Sequence, residues 1–115
     1  MDIKELITFC EEYFYYDKKL GRLYWKKSWG KKIRPGLRAG NLRKDGRTII
    51  KIEGVKYYAH RLIFLIHHKY LPSEIDHKDR KKYNDRIENL RACTHKQNML
   101  NTERAPPNPY KYIKK

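Results

Sequence analysis

One segment of this chain is apolar enough to form the centre of a core: AHRLIFLIHHKYLP, from Ala59 to Pro72. Leu62, Ile63, Leu65 and Ile66 recur at the spacing that covers one side of a helix, and Pro72 supplies a stop because it has no backbone N–H for a further turn. The spacing predicts a buried central helix over 59–72. Only 39% of the 115 residues are hydrophobic, so the rest of the chain has to be arranged around that helix with a thin core.

The flanking patterns fit that demand. From Asp2 to Tyr13, Ile3, Leu6, Ile7 and Cys10 fall at helical spacing, with Asp2 as a cap and acids at Glu5, Glu11 and Glu12, which predicts an amphipathic helix packed on the domain. From Tyr15 to Lys56 the pattern changes to short aromatic or β-branched runs broken by Gly: RLYWK, RAGNLRKDG, RTIIKIEG and VKYYAHR. Turns at Lys44-Asp45-Gly46 and Glu53-Gly54 make this a small antiparallel β-meander. Tyr24 and Trp25 alternate along one strand, so one of them faces inward. After the central helix, EIDH reads as a strand, DRKKYND as a loop, ENLRACT as the returning strand and HKQNMLNT as a helix. The fold class is therefore α+β, with one domain over 1–103 divided into a β-rich part, 1–56, and a core part, 57–103. The tail, 104–115, holds three of the five prolines and is expected to have no packed structure of its own.

Charge restricts the partner. There are 28 Lys and Arg against 13 Asp and Glu, a formal net charge of +15, well beyond the charge of about 2 to 8 that keeps a small domain soluble. A polyanion is the natural ligand. No run reaches the roughly 18 apolar residues of a spanning helix, and MDIKELITFCEEY carries acids where a signal peptide has a basic region, so a cytoplasmic protein without a membrane partner is expected. Cys10 and Cys93 form no CxxC, which excludes a four-cysteine structural zinc knuckle and any disulfide framework.

The stretch from Glu74 to Asn101, EIDHKDRKKYNDRIENLRACTHKQNMLN, contains Asp76-His77, Asn89 and Asn98, with Arg86, Glu88-Asn89-Leu90 and Gln97-Asn98 between. In this order and spacing it resembles the ββα-metal (His-Me finger) motif of HNH endonucleases, in the His-Asn-Asn variant of phage and intron-encoded homing enzymes. YDKKLGRLYWK and VKYYAHRLIFLI resemble segments that precede the motif in phage HNH proteins. The resemblance touches roughly residues 14 to 101 and is specific from 74 to 101. Two departures stand out: Arg80 occupies a loop in which the family often has Gly, and Asn84-Asp85-Arg86 stands where an Asp-Asn-Arg step is common.

The resemblance implies an enzyme that hydrolyses DNA phosphodiester bonds with one divalent metal ion, Mg²⁺ or else Mn²⁺, held by Asp76 and Asn98. His77 is then the general base. It follows Asp76 directly, so on an extended segment it points to the other face, and a neutral imidazole is available near pH 7 to take a proton from water. Asn89 clamps the backbone of the loop that presents His77. His95 precedes the last helix and could cap it, contact phosphate or join the metal shell. His60 is expected to pack against the core rather than touch DNA, and His67 and His68 to close the central helix, where cations suit the negative end of its dipole. No structural zinc and no small-molecule cofactor are implied.

Expected DNA contacts are Lys78, Arg80, Lys81 and Lys82 beside the site, together with Arg86, Arg91 and His95, and Lys26, Lys27, Arg34, Arg38 and Arg43 upstream, where Tyr24, Trp25 and Trp29 interleave with the cations. With no helix-turn-helix or zinc finger, sequence preference should be weak. A monomer or weak dimer with one site should nick one strand, in the cytoplasm of a bacterial host during phage infection. Two other readings stay open: a basic nucleic-acid-binding accessory protein with an inactive HNH core, and a nuclease acting on RNA.

Overall fold

In the computed structural model, which describes residues 1–94, the chain runs α1 (Ile3–Tyr13), β1 (Phe14–Asp17), β2 (Arg22–Trp25), β3 (Asn41–Leu42), β4 (Thr48–Ile52), β5 (Val55–Tyr58), α2 (Ala59–His68), β6 (Glu74–His77), a 3₁₀ turn (Ile87–Asn89) and β7 (Leu90–Cys93). The fold class is α+β. The helix expected over HKQNMLNT and the tail from Arg104 lie outside the described residues.

Helix α1 starts where its cap chemistry dictates. The Asp2 carboxylate accepts from the Glu5 N–H at 2.8 Å and the Glu5 carboxylate accepts from the Asp2 N–H at 3.0 Å, a reciprocal pair that satisfies two donors at the helix start. Leu6, Phe9 and Cys10 form its buried side, whereas Ile3, expected in that stripe, stays exposed. Phe9 joins Tyr13, Phe14, Trp25 and Trp29 in a cluster of edge-on and stacked rings. Trp25 is the inward member of the Tyr24-Trp25 pair, and Tyr24 lies half-exposed, stacked on Tyr15 at 5.3 Å.

The expected single meander is two sheets, a β1–β2 hairpin and a three-stranded β3–β4–β5 sheet. The reason lies between them. Gly30, Gly36 and Gly40 all take positive φ and Pro35 donates no N–H, which breaks this stretch into short pieces. It pairs locally with β2, through the Trp25 N–H to Leu37 O at 2.9 Å, the Gly36 N–H to Trp25 O at 2.8 Å and the Ala39 N–H to Leu23 O at 2.8 Å, without extending into the second sheet.

Helix α2 is the centre of the core, as expected, but it ends at His68 rather than Pro72. Leu62, Ile63, Phe64 and Leu65 are all essentially inaccessible, because α1, β2, β4, β5 and the 3₁₀ turn surround the helix. Residues 67–70 are exposed, and Lys69 turns into the left-handed conformation (φ 64°) with its N–H on Leu65 O at 2.8 Å, so the chain leaves the helix before Leu71 packs back on the core. No helix among the described residues is long and apolar enough to cross a membrane. The last paired element is the antiparallel β6–β7 ribbon, with Ile75 opposite Ala92, Asp76 opposite Arg91 and His77 opposite Leu90.

Candidate active site

Register places the first pair of site residues. Arg91 faces Asp76 across the ribbon and donates to its carboxylate, so an acid that is 4% exposed has a cation directly opposite. His77, next along β6, is also buried, but its neighbours come from elsewhere in the chain.

The loop that follows folds back on itself. The Arg80 N–H donates to His77 O at 2.8 Å, and Arg80 sits at φ 64°, a left-handed conformation that suits glycine. Arg80 thus holds a glycine-type conformation without being glycine, which gives a prediction. Arg80→Gly is expected to relieve about 1 kcal/mol of backbone strain and so raise the thermal midpoint by roughly 4 to 8 °C; an unchanged or lower midpoint in a melting experiment would count against it.

Asn89 ties the loop down. Its amide N–H groups donate to Asp79 Oδ1 at 2.9 Å and Asn84 O at 2.9 Å, its oxygen accepts from the Asp79 N–H at 3.1 Å, and its own carbonyl accepts from the Lys78 N–H at 2.8 Å. It does not start β7, as the sequence suggested, but closes the 3₁₀ turn just before it. That placement turns the side chain into the loop instead of onto a face of the ribbon. Asp79 is the hub on the other side. Partial burial pushes its carboxyl up, but hydrogen bonds from Asn84, the Lys81 N–H and Asn89, together with the charge of His77, outweigh that and hold it below the ordinary carboxylate value.

Sequence reasoning missed Asp85. This residue is 3% exposed, and its Oδ1 lies 2.8 Å from His77 Nε2. A carboxylate can only accept, so the hydrogen of this bond resides on Nε2 and the lone pair of the neutral ring is at Nδ1. The available signal was the Asn84-Asp85 order, which puts an acid where the family more often has an amide. Asp85 is positioned by the β1–β2 hairpin: the Ile87 N–H donates to the Tyr16 hydroxyl at 2.8 Å, Arg86 Nε donates to Lys19 O at 2.7 Å, and Gly21 packs against the Asp85-Arg86 backbone. Arg86, expected on DNA, thus spends one donor on this internal anchor.

His60, at the start of α2, packs as expected, stacked on Tyr58 at 5.5 Å, but its ring also meets His77 edge-on at 4.9 Å. Burial first, then the charges of His77, Arg47 and Arg61, push its pKa from 6.5 to about 3. Between those values the unfolded chain binds a proton that the folded one refuses. Stability is therefore complete above pH 6.5 and falls as the pH drops toward 3, by on the order of 3 to 5 kcal/mol in total. His60→Phe keeps a ring against Tyr58 and His77; in urea titrations across this window it should lose less stability on acidification than the wild type, and equal losses would refute the assignment.

Two donor sets lie at this end of β6. The described part of the first is Asp76, one hard oxygen ligand; Asn98 and His95 lie outside the described residues. The second is His60, His77 and Asp85, whose ligand atoms all fall within 4.8 Å of one another. Two imidazoles and one carboxylate suit a borderline transition-metal ion, whereas Mg²⁺ favours oxygen ligands, so the two sets differ in the ion they fit. The cysteines offer nothing further: burial raises the thiol of Cys10 to about 12 and that of Cys93 to about 11, so both stay protonated near neutrality.

Several of the basic residues already have partners within the chain. Lys26 donates to Glu11 O at 2.6 Å, Lys27 pairs with Glu12 at 2.8 Å, and half-buried Arg38 donates to Thr48 Oγ1 at 2.9 Å. Lys78, Arg80, Lys81, Lys82, Arg34 and Arg43 are exposed. The β3–β4 turn and the loop after His77 are neighbours: Gly46 packs near Lys82 and Tyr83, and the Asp45 carboxyl feels Arg43, Arg47 and Lys82 together. Cations distant in sequence therefore gather on one surface beside the site.

Residues 57–100 match the family described as HNH endonuclease, a stretch that begins in β5 and includes α2, the β6–β7 ribbon and the loop between. No curated protein and no solved structure matches the chain. Over this segment, less than half of the chain, the protein is similar to HNH endonucleases.

Proposed function

We propose that this chain is a metal-dependent endonuclease that hydrolyses the phosphodiester backbone of DNA, acting as a nicking or homing-like enzyme of the phage type it resembles. The observation that carries this reading is the buried His77–Asp85 hydrogen bond of 2.8 Å, inside the matched segment and at the base of a loop clamped by Asn89.

Hydrolysis needs a water deprotonated in line with the P–O3′ bond. Nδ1 of His77 takes that proton, because the bond to Asp85 keeps the other ring nitrogen protonated and stabilises the imidazolium that forms. The new P–O bond forms as P–O3′ breaks, and the departing 3′ oxygen takes a proton from solvent. Asp76, with Asn98 as the resemblance implies, would hold the divalent ion. When bound, the ion supplies positive charge against the phosphorane and the leaving oxygen. Asn89 acts at one remove by fixing the loop, since a shift of about 1 Å in a reacting group can cost on the order of 100-fold in rate. The exposed cations around Lys78 to Lys82 and Arg43 grip the flanking phosphates, which favours a nucleic acid over any small substrate.

The test is supercoiled plasmid incubated at low salt with wild type or His77→Ala, in Mg²⁺, Mn²⁺ or EDTA. Open-circular product that requires metal is expected from wild type, and loss of the base should slow it by about 10² to 10⁴-fold. Linear product would add paired cleavage to the reading. Plasmid retarded on the gel but cut by neither protein would overturn it, and cleavage confined to RNA substrates would replace DNA as the target.

A further inference from the structure

We infer that His60, His77 and Asp85 form a second metal site, selective for a transition-metal ion such as Zn²⁺, whose occupation blocks His77 as a base. The three residues come from three separate segments: the first turn of α2, the end of β6 and the loop before the 3₁₀ turn. All three are buried, and their ligand atoms lie within 4.8 Å of one another. For bonds of about 2.1 Å, a tetrahedral ion needs ligand atoms roughly 3.4 Å apart. The His77–Asp85 contact of 2.8 Å has to open slightly and the longer separations have to close, movements on the scale of side-chain torsions.

Three features make the set a zinc-type site rather than a second magnesium site. Two of its donors are imidazole nitrogens, which suit Zn²⁺ and Co²⁺ and are poor ligands for Mg²⁺. The His60 and His77 rings meet at 4.9 Å from two different elements, so two nitrogen donors converge beside the Asp85 carboxylate. Arg47 and Arg61 add positive charge close to His60, which penalises an ion held by charge alone more than one held by nitrogen coordination.

The consequence follows from the shared residue. A nitrogen of His77 and the carboxylate of Asp85 that bind zinc are no longer available to hold and move a proton, so zinc opposes catalysis while Mg²⁺ at Asp76 supports it. This last step rests on the nuclease reading; the binding itself does not. Co²⁺ is the probe, because its visible absorption reports nitrogen and oxygen coordination without any turnover. The wild type should bind Co²⁺ with a visible absorption spectrum, displaceable by Zn²⁺, and His60→Phe and His77→Ala should each weaken the binding that gives this spectrum by at least about 100-fold. Circular dichroism verifies that each variant is folded. Zn²⁺ should then inhibit Mg²⁺-supported nicking by wild type and spare His60→Phe.

Absence of a Co²⁺ spectrum in wild type, or equal binding by His60→Phe, overturns the site. Zinc bound through His60 without inhibition overturns the regulatory step. Co²⁺ binding that depends on His60, in a protein that nicks under no condition, upholds the site and overturns the nuclease reading instead.

Discussion

Asp85→Ala is expected to lower the single-turnover nicking rate by about 100-fold or more while leaving DNA affinity equal or slightly higher. Affinity should not fall, because the substitution removes a negative charge and touches none of the exposed cations. The rate should fall because Asp85 is the hydrogen-bond partner that holds His77 Nε2, at 2.8 Å and out of solvent. Without it the ring loses both its orientation and the tautomer that puts the lone pair on Nδ1. Asp85→Asn separates the two effects. Its amide oxygen still accepts from Nε2–H, so geometry survives while the negative charge that stabilises the imidazolium is lost, and an intermediate rate is expected. Nitrogen NMR of His77 supplies a readout independent of turnover: wild type and Asp85→Asn should show the Nε2–H tautomer, and Asp85→Ala a mixture. Undiminished nicking by a folded Asp85→Ala protein would remove Asp85 from the mechanism.

Gly21→Ala should produce a large loss of stability from one added methyl group. A Cβ at position 21 would lie 2.4 Å from Arg86 N and 2.8 Å from Asp85 C, against backbone that cannot rotate away, and Gly21 has φ 67°. The left-handed backbone costs about 1 to 2 kcal/mol and the overlap roughly 1 to 3 more. The thermal midpoint should fall by more than about 10 °C. Gly54→Ala is the control, since Gly54 has φ 83° but nothing within 4 Å of the added carbon, and it carries the conformational cost alone. The difference between the two variants isolates the contact with the site loop. The same methyl pushes on the segment that carries Asp85, so the Gly21→Ala protein, assayed below its midpoint, should show a depressed nicking rate with DNA affinity retained. Equal midpoints for the two variants would mean that the hairpin and the loop are not pressed together as described.

These two predictions concern residues that sequence reasoning passed over, and the reason is physical. The limits of α1, the β2 strand, the turn at Glu53-Gly54, the position of α2 and the EIDH strand were all legible, because each depends on spacing within a few residues: a cap three positions from its partner, apolar side chains at a helical or alternating period, a glycine where φ turns positive. The pairing of Asp76-His77 with Asn89 was legible through its resemblance to a known motif, which compresses a three-dimensional arrangement into a spacing. His67 and His68 close α2 as expected, but Pro72 as a local stop signal put its end too late, because the left-handed turn at Lys69 ends the helix first. The single meander was misplaced because a turn signal does not tell one sheet from two.

Sequence alone thus determined α1, the body of α2, the strands at RLYW, TIIKI and EIDH, the basic character of the chain and the resemblance to a family motif. Tertiary structure decided what surrounds His77. Asp85 reaches it only because the loop closes over Asn89, His60 only because α2 packs against the end of β6, and the support behind Asp85 comes from Tyr16 and Lys19, bonded to residues 71 and 67 positions away. Such contacts form when the core closes long loops, and they leave no periodicity in the chain, because the free energy that holds them is the burial of α2 and its neighbours rather than any preference of the residues that meet.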